Sequence, residues 1–186
     1  MNPIFCNVTM ETDYTKIKVH PLFKPIKKLF EFYILGIGFI GMPEFQRAFL
    51  LEHPGMKPLI DAYNKEVSLQ KEGQYVKAST RLYLIYVGRL MAVAVFDFLQ
   101  ASPFHKVLSG TEIFRFTKHI RNGAAHNNKF NFGRLNPLEK PAKWKNKNID
   151  NSLNGKTVIP DFINPTELIF LMSDISSLIK VKTKKK

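Results

Sequence analysis

The chain has 186 residues, with 28 Lys or Arg against 15 Asp or Glu, a formal charge of +13. That is the length of one domain, and 45% hydrophobic with 12% aromatic residues excludes a disordered or low-complexity chain. The lone Cys6 excludes an internal disulfide, and no Cys/His grouping has zinc spacing, so neither metal nor cofactor is expected and the composition fits a reducing, cytoplasmic setting. Residues 1–20 are mixed, and Glu11 and Asp13 stand where a secretory leader would be cationic and then apolar. The longest apolar run, Phe32 to Met42, falls well short of the about 20 residues a membrane span needs.

Helical spacing of Ile26, Leu29, Phe30, Tyr33, Ile34 and Ile37 predicts a first helix from Pro25, stopped by Pro43. A second short helix is expected over 44–52, a break at His53-Pro54-Gly55, and a third helix over 58–70. Residues 74–100 form the longest periodic stretch, apolar on nearly every face from Leu90 to Phe96, as in a central buried helix. Ser109-Gly110-Thr111-Glu112 reads as a capping box opening a helix that runs to about His126. Asn154-Gly155 predicts a type I′ hairpin turn between Ile149 and Val158, and Asn164-Pro165-Thr166-Glu167 a second capping box before a last helix to about Ile179. The expected fold class is mainly α, a helical bundle with a small β-hairpin after the motif helix. It forms one domain over 1–186, with an N-terminal segment 1–20, a basic loop and hairpin insertion 127–163 and a basic tail 180–186.

Gly36-Ile37-Gly38-Phe39-Ile40-Gly41 matches the dinucleotide-binding fingerprint in letters, but it continues a helical pattern and runs into Pro43, so close helix packing is the expected role.

The charge is localised. Residues 115–147 carry nine basic groups and one acid, Glu139, while 180–186 carries five lysines and no acid; the remainder holds 14 basic and 14 acidic residues. Such clustering is the footprint of a phosphate-bearing partner. At 100° per residue, Ile113, Phe116, Ile120 and Ala124 share a core face, and Arg115, His119, Asn122 and His126 share the opposite one, with Lys118 at its edge. Arg121 lies on the flank, about 140° from His126. A polar stripe of histidines, asparagine and arginines, without acids after Glu112, suits phosphate.

Arg121-Asn122-Gly123-Ala124-Ala125-His126 resembles the R-x-x-x-x-H motif of the HEPN superfamily, small helical proteins that include metal-independent ribonucleases of toxin–antitoxin and phage-defence systems. The wider run from His119 to Phe132 is similar to abortive-infection and plasmid-borne prokaryotic members. The resemblance implies an endoribonuclease leaving a 2′,3′-cyclic phosphate and a 5′-hydroxyl.

Such cleavage needs a base for the 2′-OH, a cation for the phosphorane and a proton donor for the leaving oxygen. His126 is the expected base or acid and Arg121 the phosphate clamp, with Asn122 orienting the imidazole or binding phosphate. His119, Lys118, Arg115 and Lys129 are expected substrate contacts. Asp97 is a candidate supporting acid, or equally a salt-bridge partner of Arg89 or another arginine. Phe130, Phe132 and Trp144 interleave with lysines in a pattern that suits stacking on bases, but core packing of at least one of them is expected. One Arg121/His126 pair supplies one base and one clamp, whereas acid and base must flank the phosphate. A homodimer with a composite site, which family members resemble, meets that need.

Some toxins of the family carry a tyrosine two residues after the histidine, where a partner enzyme modifies them; here Asn128 stands there, so that control is not expected. The expected partners are RNA, a second copy and an antitoxin or regulatory protein, with no membrane. The alternatives are a non-cleaving RNA- or nucleotide-binding module, or a structural dimer whose basic patch recruits an acidic antitoxin.

Overall fold

A computed structural model describes residues 16–40, 42–58, 60–61, 64–65, 76–133, 138 and 140–183. Cys6, Glu11 and Asp13, Gly41, much of the helix expected over 58–70, Arg134, Glu139 and the last three lysines lie outside the described residues.

The fold is mainly helical. Among the described residues the helices with defined limits are α1 (Lys24–Ile40), α2 (Pro43–Glu52), α3 (Val76–Ala101), the single turn α4 (His105–Leu108), α5 (Glu112–Ala125) and α6 (Pro165–Thr183); residues 57–58, 60–61 and 64–65 are also helical, and the strands are β1 (Ala142–Trp144) and β2 (Lys147–Ile149). Pro43 sits in the first turn of α2, where its missing N–H costs nothing. No helix among the described residues is long and apolar enough to cross a membrane.

Helix α3 lies at the centre, packing against α5, α6 and α1, and α5 is covered on another side by β1. Met91, Ala92, Val95, Phe96 and Leu99 of α3 meet Phe116 and Ile120 of α5 and Leu168, Leu171, Met172 and Ile175 of α6 in one core. Not every face of α3 is covered, however: Tyr86 and Leu90 are 51% and 68% exposed.

The capping box at Asn164 forms as expected. Asn164 Oδ1 accepts from Glu167 N–H and Glu167 Oε2 accepts from Asn164 N–H, both at 2.9 Å. The one at Ser109 does not. Ser109 N–H donates to His105 O at 2.8 Å and closes α4, so α5 is capped instead by Thr111, whose Oγ1 accepts from Phe114 N–H at 3.3 Å.

The hairpin lies earlier than Asn154-Gly155. Strands β1 and β2 pair antiparallel with Ala142 opposite Ile149, and the two residues between them include Lys145 at φ 53°. Gly155, at φ +78°, instead turns the chain after a short 3-10 turn. Residues 127–163 are no appended insertion either, since Phe130, Ala142, Trp144, Ile149, Val158, Ile159 and Ile163 all belong to the core. Helix α1 is continuous through Gly36, with no strand before it among the described residues, and a Cβ at Gly36 would meet nothing within 4 Å, so close packing is not the role of that glycine.

Candidate functional site

Helix α5 delivers the motif. Phe116, Ile120, Gly123 and Ala124 are buried, and His126 is the C-cap, its N–H donating to Asn122 O at 3.0 Å. The chain leaves the helix there at ψ 91°, and Asn127 and Asn128 follow at φ 55° and 57°. Asparagine tolerates this left-handed region because its short amide bonds locally. Asn128 is buried, its Oδ1 accepting from Ile159 N–H at 3.0 Å and its Nδ2 donating to Ile159 O at 2.5 Å. Asn128 is therefore a structural clamp.

Arg121 and Asp97 come together. Arg121 Nε lies 3.3 Å from Asp97 Oδ1, with the side chains 31% and 46% exposed. Of the two sequence alternatives for the salt bridge, Arg89 is the one not used: its Nε donates to Ala124 O at 2.6 Å, placing a cation at the C-terminal end of α5 where the helix dipole favours one. With Nε on Asp97, the guanidinium retains its two terminal nitrogens for a second partner. Asn122 is half-buried and the His126 side chain is exposed.

His119 needs correction. It was expected on the polar stripe as a substrate contact, yet it is only 8% exposed, its ring edge-on to Phe132 at 5.6 Å between centroids. The 100° projection assumes one covered face, whereas α5 is covered by α3 on one side and by the β1 region on another. Arg115 also turns away: it is half-buried, and its Nη1 donates to Gly110 O at 3.2 Å. Eleven residues of helix place it about 16 Å from His126 along the axis. Lys118 is exposed two turns before His126, and Lys129 is exposed beside it.

Core packing, the expectation for at least one of the three aromatics, holds for two of them, which are therefore not free to stack on bases. Phe130 and Trp144 are 1% and 6% exposed, and Trp144 Nε1 donates to Asp174 Oδ2 at 2.9 Å. Phe132 is half-buried. The basic block is also partly neutralised by α6, through Lys145 to Asp174 at 3.5 Å and Lys147 to Glu167 at 3.1 Å. Lys118, Lys129, Lys140 and Lys143 keep their charges exposed.

Two helical glycines make close approaches to the chain beyond the motif. A Cβ on Gly123 would overlap Val158 Cγ2, and one on Gly88 would lie 2.7 Å from Ile159 Cγ2. These bare positions on α5 and α3 seat the Val158-Ile159 segment that Asn128 clamps. Their only sequence signal is glycine inside a helical pattern, where it costs about 1 kcal/mol relative to alanine.

Among the described residues, no three His, Cys, Asp or Glu side chains gather as a metal-holding group. The chain matches no protein-family model, and comparison with curated proteins and with solved structures gives no match.

Proposed function

We propose that the chain is a metal-independent endoribonuclease of defence or toxin type, working as a homodimer at the Arg121/His126 end of α5. The observation that carries this reading is the Asp97–Arg121 contact at 3.3 Å, which orients a half-exposed guanidinium on the helix that ends in an exposed His126.

His126 takes the proton from a ribose 2′-OH, the 2′-oxygen bonds to phosphorus, and the P–O5′ bond breaks to leave a cyclic phosphate. The terminal nitrogens of Arg121 hold the non-bridging oxygens as charge develops, and Asp97 acts through Arg121 as a positioning residue. The departing 5′-oxygen takes its proton from His126 of a second copy. Tyr86, Leu90 and Asp97 share one angular stripe of α3, and the two apolar members are uncovered, which suits a twofold contact bordering the Arg121 pair.

Purified protein incubated with RNA in excess EDTA is expected to leave 2′,3′-cyclic phosphate ends. His126→Ala is expected to lower the rate by about 10²–10⁴-fold, the usual worth of general acid–base catalysis. Asp97→Asn, which lets Arg121 swing, is expected to cost up to about 100-fold. Undiminished cleavage by His126→Ala overturns the assignment.

One observation favours a non-cleaving RNA-binding module. Among the described residues, no side chain hydrogen-bonds the His126 imidazole, and a module that only binds needs none to do so. Binding with a steep salt dependence and no cleavage decides for that reading.

A further inference from the structure

Beside His126 the surface folds into a groove that the mechanism above does not use. Its volume is 320 Å³, and His126, Asn127, Lys129, Phe130, Asn131, Asn154 and Gly155 line it. That size lies at the low end of pockets that hold small ligands, about 300–1,000 Å³, and fits one nucleotide better than a duplex or a folded partner.

The walls are held from below. Phe130 N–H donates to Lys156 O at 2.9 Å and Gly155 N–H to Phe130 O at 2.8 Å, and Lys129 bridges to Thr157. Phe130 itself is buried, so the floor is anchored in the core. Phe132 N–H donates to Asn154 Oδ1 at 2.9 Å. That bond fixes which end of the amide is which, so the Asn154 Nδ2 donor is the end not engaged by Phe132. Lys129 is exposed and has no ion pair among the described residues, and no acid lines the groove. A cation and a fixed amide donor, without a carboxylate, select a ligand that is anionic and rich in acceptor oxygens or ring nitrogens. Glycine at φ +78° in the rim lets such a ligand approach the backbone closely.

We infer that this groove is the subsite for the nucleotide adjoining the cleaved linkage of a single-stranded RNA, Lys129 taking its phosphate and the Asn154 amide an acceptor on its base. The inference rests on the ribonuclease reading for its substrate, but it is testable without cleavage. His126, which both sites share, would then stand between the bound nucleotide and the phosphate held by Arg121.

The test uses the full chain and a fluorescein-labelled octaribonucleotide with 2′-O-methyl riboses, which lack the attacking hydroxyl, read by fluorescence anisotropy. Asn154→Asp keeps the acceptor for Phe132 N–H and replaces the Nδ2 donor by a negative charge, so it is expected to weaken binding at least tenfold. Lys129→Gln is expected to weaken it about fivefold and to reduce the slope of log affinity against log salt by about 0.7, the loss of one single-strand phosphate contact. Lys106→Gln, on the exposed surface of α4, is expected to change binding less than twofold. Chemical-shift changes at the Gly155 and Asn154 amides on adding 5′-mononucleotides would locate the ligand directly. Asn154→Asp and Lys129→Gln binding RNA as well as the parent overturns the subsite, as does absence of RNA binding by the parent. If the oligonucleotide binds and the two variants weaken it while the unsubstituted chain leaves RNA intact, the subsite stands and the ribonuclease reading falls.

Discussion

Helices α5 and α6 and the segment between them bury side chains at nearly every turn, whereas α1 and α2 leave Leu29, Phe32, Leu35 and Leu51 at 64%, 66%, 53% and 86% exposure. Helix α2 has no buried residue at all. The N-terminal half is the more apolar in sequence, with 47 hydrophobic residues in 1–93 against 36 in 94–186, so the difference lies in what covers them. In the C-terminal half most apolar side chains meet another element of the same chain, Phe98 and Val181 being the large exceptions; in the N-terminal half, α1 rests on α3 and leaves Leu29, Phe32 and Leu35 exposed. The catalytic candidates belong to the well-covered half, where Arg121 and His126 sit on a helix held from two sides. Beyond the Tyr86 and Leu90 stripe that borders the site, the uncovered apolar surface lies mainly on α1 and α2, which contribute no candidate site residue.

The largest effect is expected where coverage is complete. Phe116 is fully buried against Trp144 and Phe162. Phe116→Ala is expected to cost about 3–5 kcal/mol in urea unfolding. Its counterpart in the uncovered half, Leu51→Ser, is expected to move stability by no more than about 0.5 kcal/mol. A large loss from Leu51→Ser would break the comparison by showing that α2 is covered in solution.

Gly123→Ala sharpens the same contrast at the site. In an open helix the change would gain about 1 kcal/mol. Here the new Cβ meets Val158, a buried residue with a stiff branched side chain, and approaches Lys129 O at 3.3 Å. Overpacking of this kind costs about 1–3 kcal/mol, so a net destabilisation is expected. The equivalent substitution at Gly36, with open space around it, is expected to be neutral or stabilising. Asn164→Ala removes the Oδ1 acceptor of the α6 capping box, leaves the backbone N–H of residue 164 bonded to Glu167, and is expected to cost about 1 kcal/mol.

Periodicity and local chemistry made much of this fold legible. The limits of α1, α2 and α3, the break at Pro54 and the Asn164 capping box all follow from neighbours within a few residues. What local reading missed depends on distant chain. His119 is buried because Phe132 and the β1 region cover a second face of α5, which a projection of one helix does not contain. Lys145 and Lys147 lose their excess charge to Asp174 and Glu167, acids that follow them by 20 or more residues. Asn154-Gly155 carries a strong hairpin signal, yet the register is taken by Ala142–Trp144, whose alternate side chains enter the core. At the site, the Arg121 and His126 pattern was legible as letters. The Asp97 contact was one of several sequence options, and the seat formed by Gly88, Gly123 and Asn128 was not visible at all.

The smallest effect tests how the N-terminal strap joins the covered half. Residue His20 caps the turn over Pro21–Phe23, its Nδ1 accepting from Leu22 N–H at 3.2 Å, while its own N–H donates to Ser176 Oγ of α6 at 2.6 Å. Its ring stands edge-on to Phe104 at 5.0 Å. Burial, and secondarily the charge of Lys180, hold its pKa below the ordinary 6.5. Around and below that value the unfolded chain binds more protons than the folded one, so stability rises with pH. The contribution is complete above 6.5 and is lost as pH falls through the depressed folded value. Protonation also removes the Nδ1 acceptor, so the loss should appear first as opening of the strap. Acidifying from about pH 8 to about pH 5 is expected to speed amide exchange at Leu22 and Phe23 well before Leu171 responds. His20→Asn, a cap that does not titrate there, is expected to abolish that difference. Simultaneous loss of protection at Leu171 would mean that the strap and the covered half unfold as one unit, and the division between the two halves would then hold for packing but not for cooperativity.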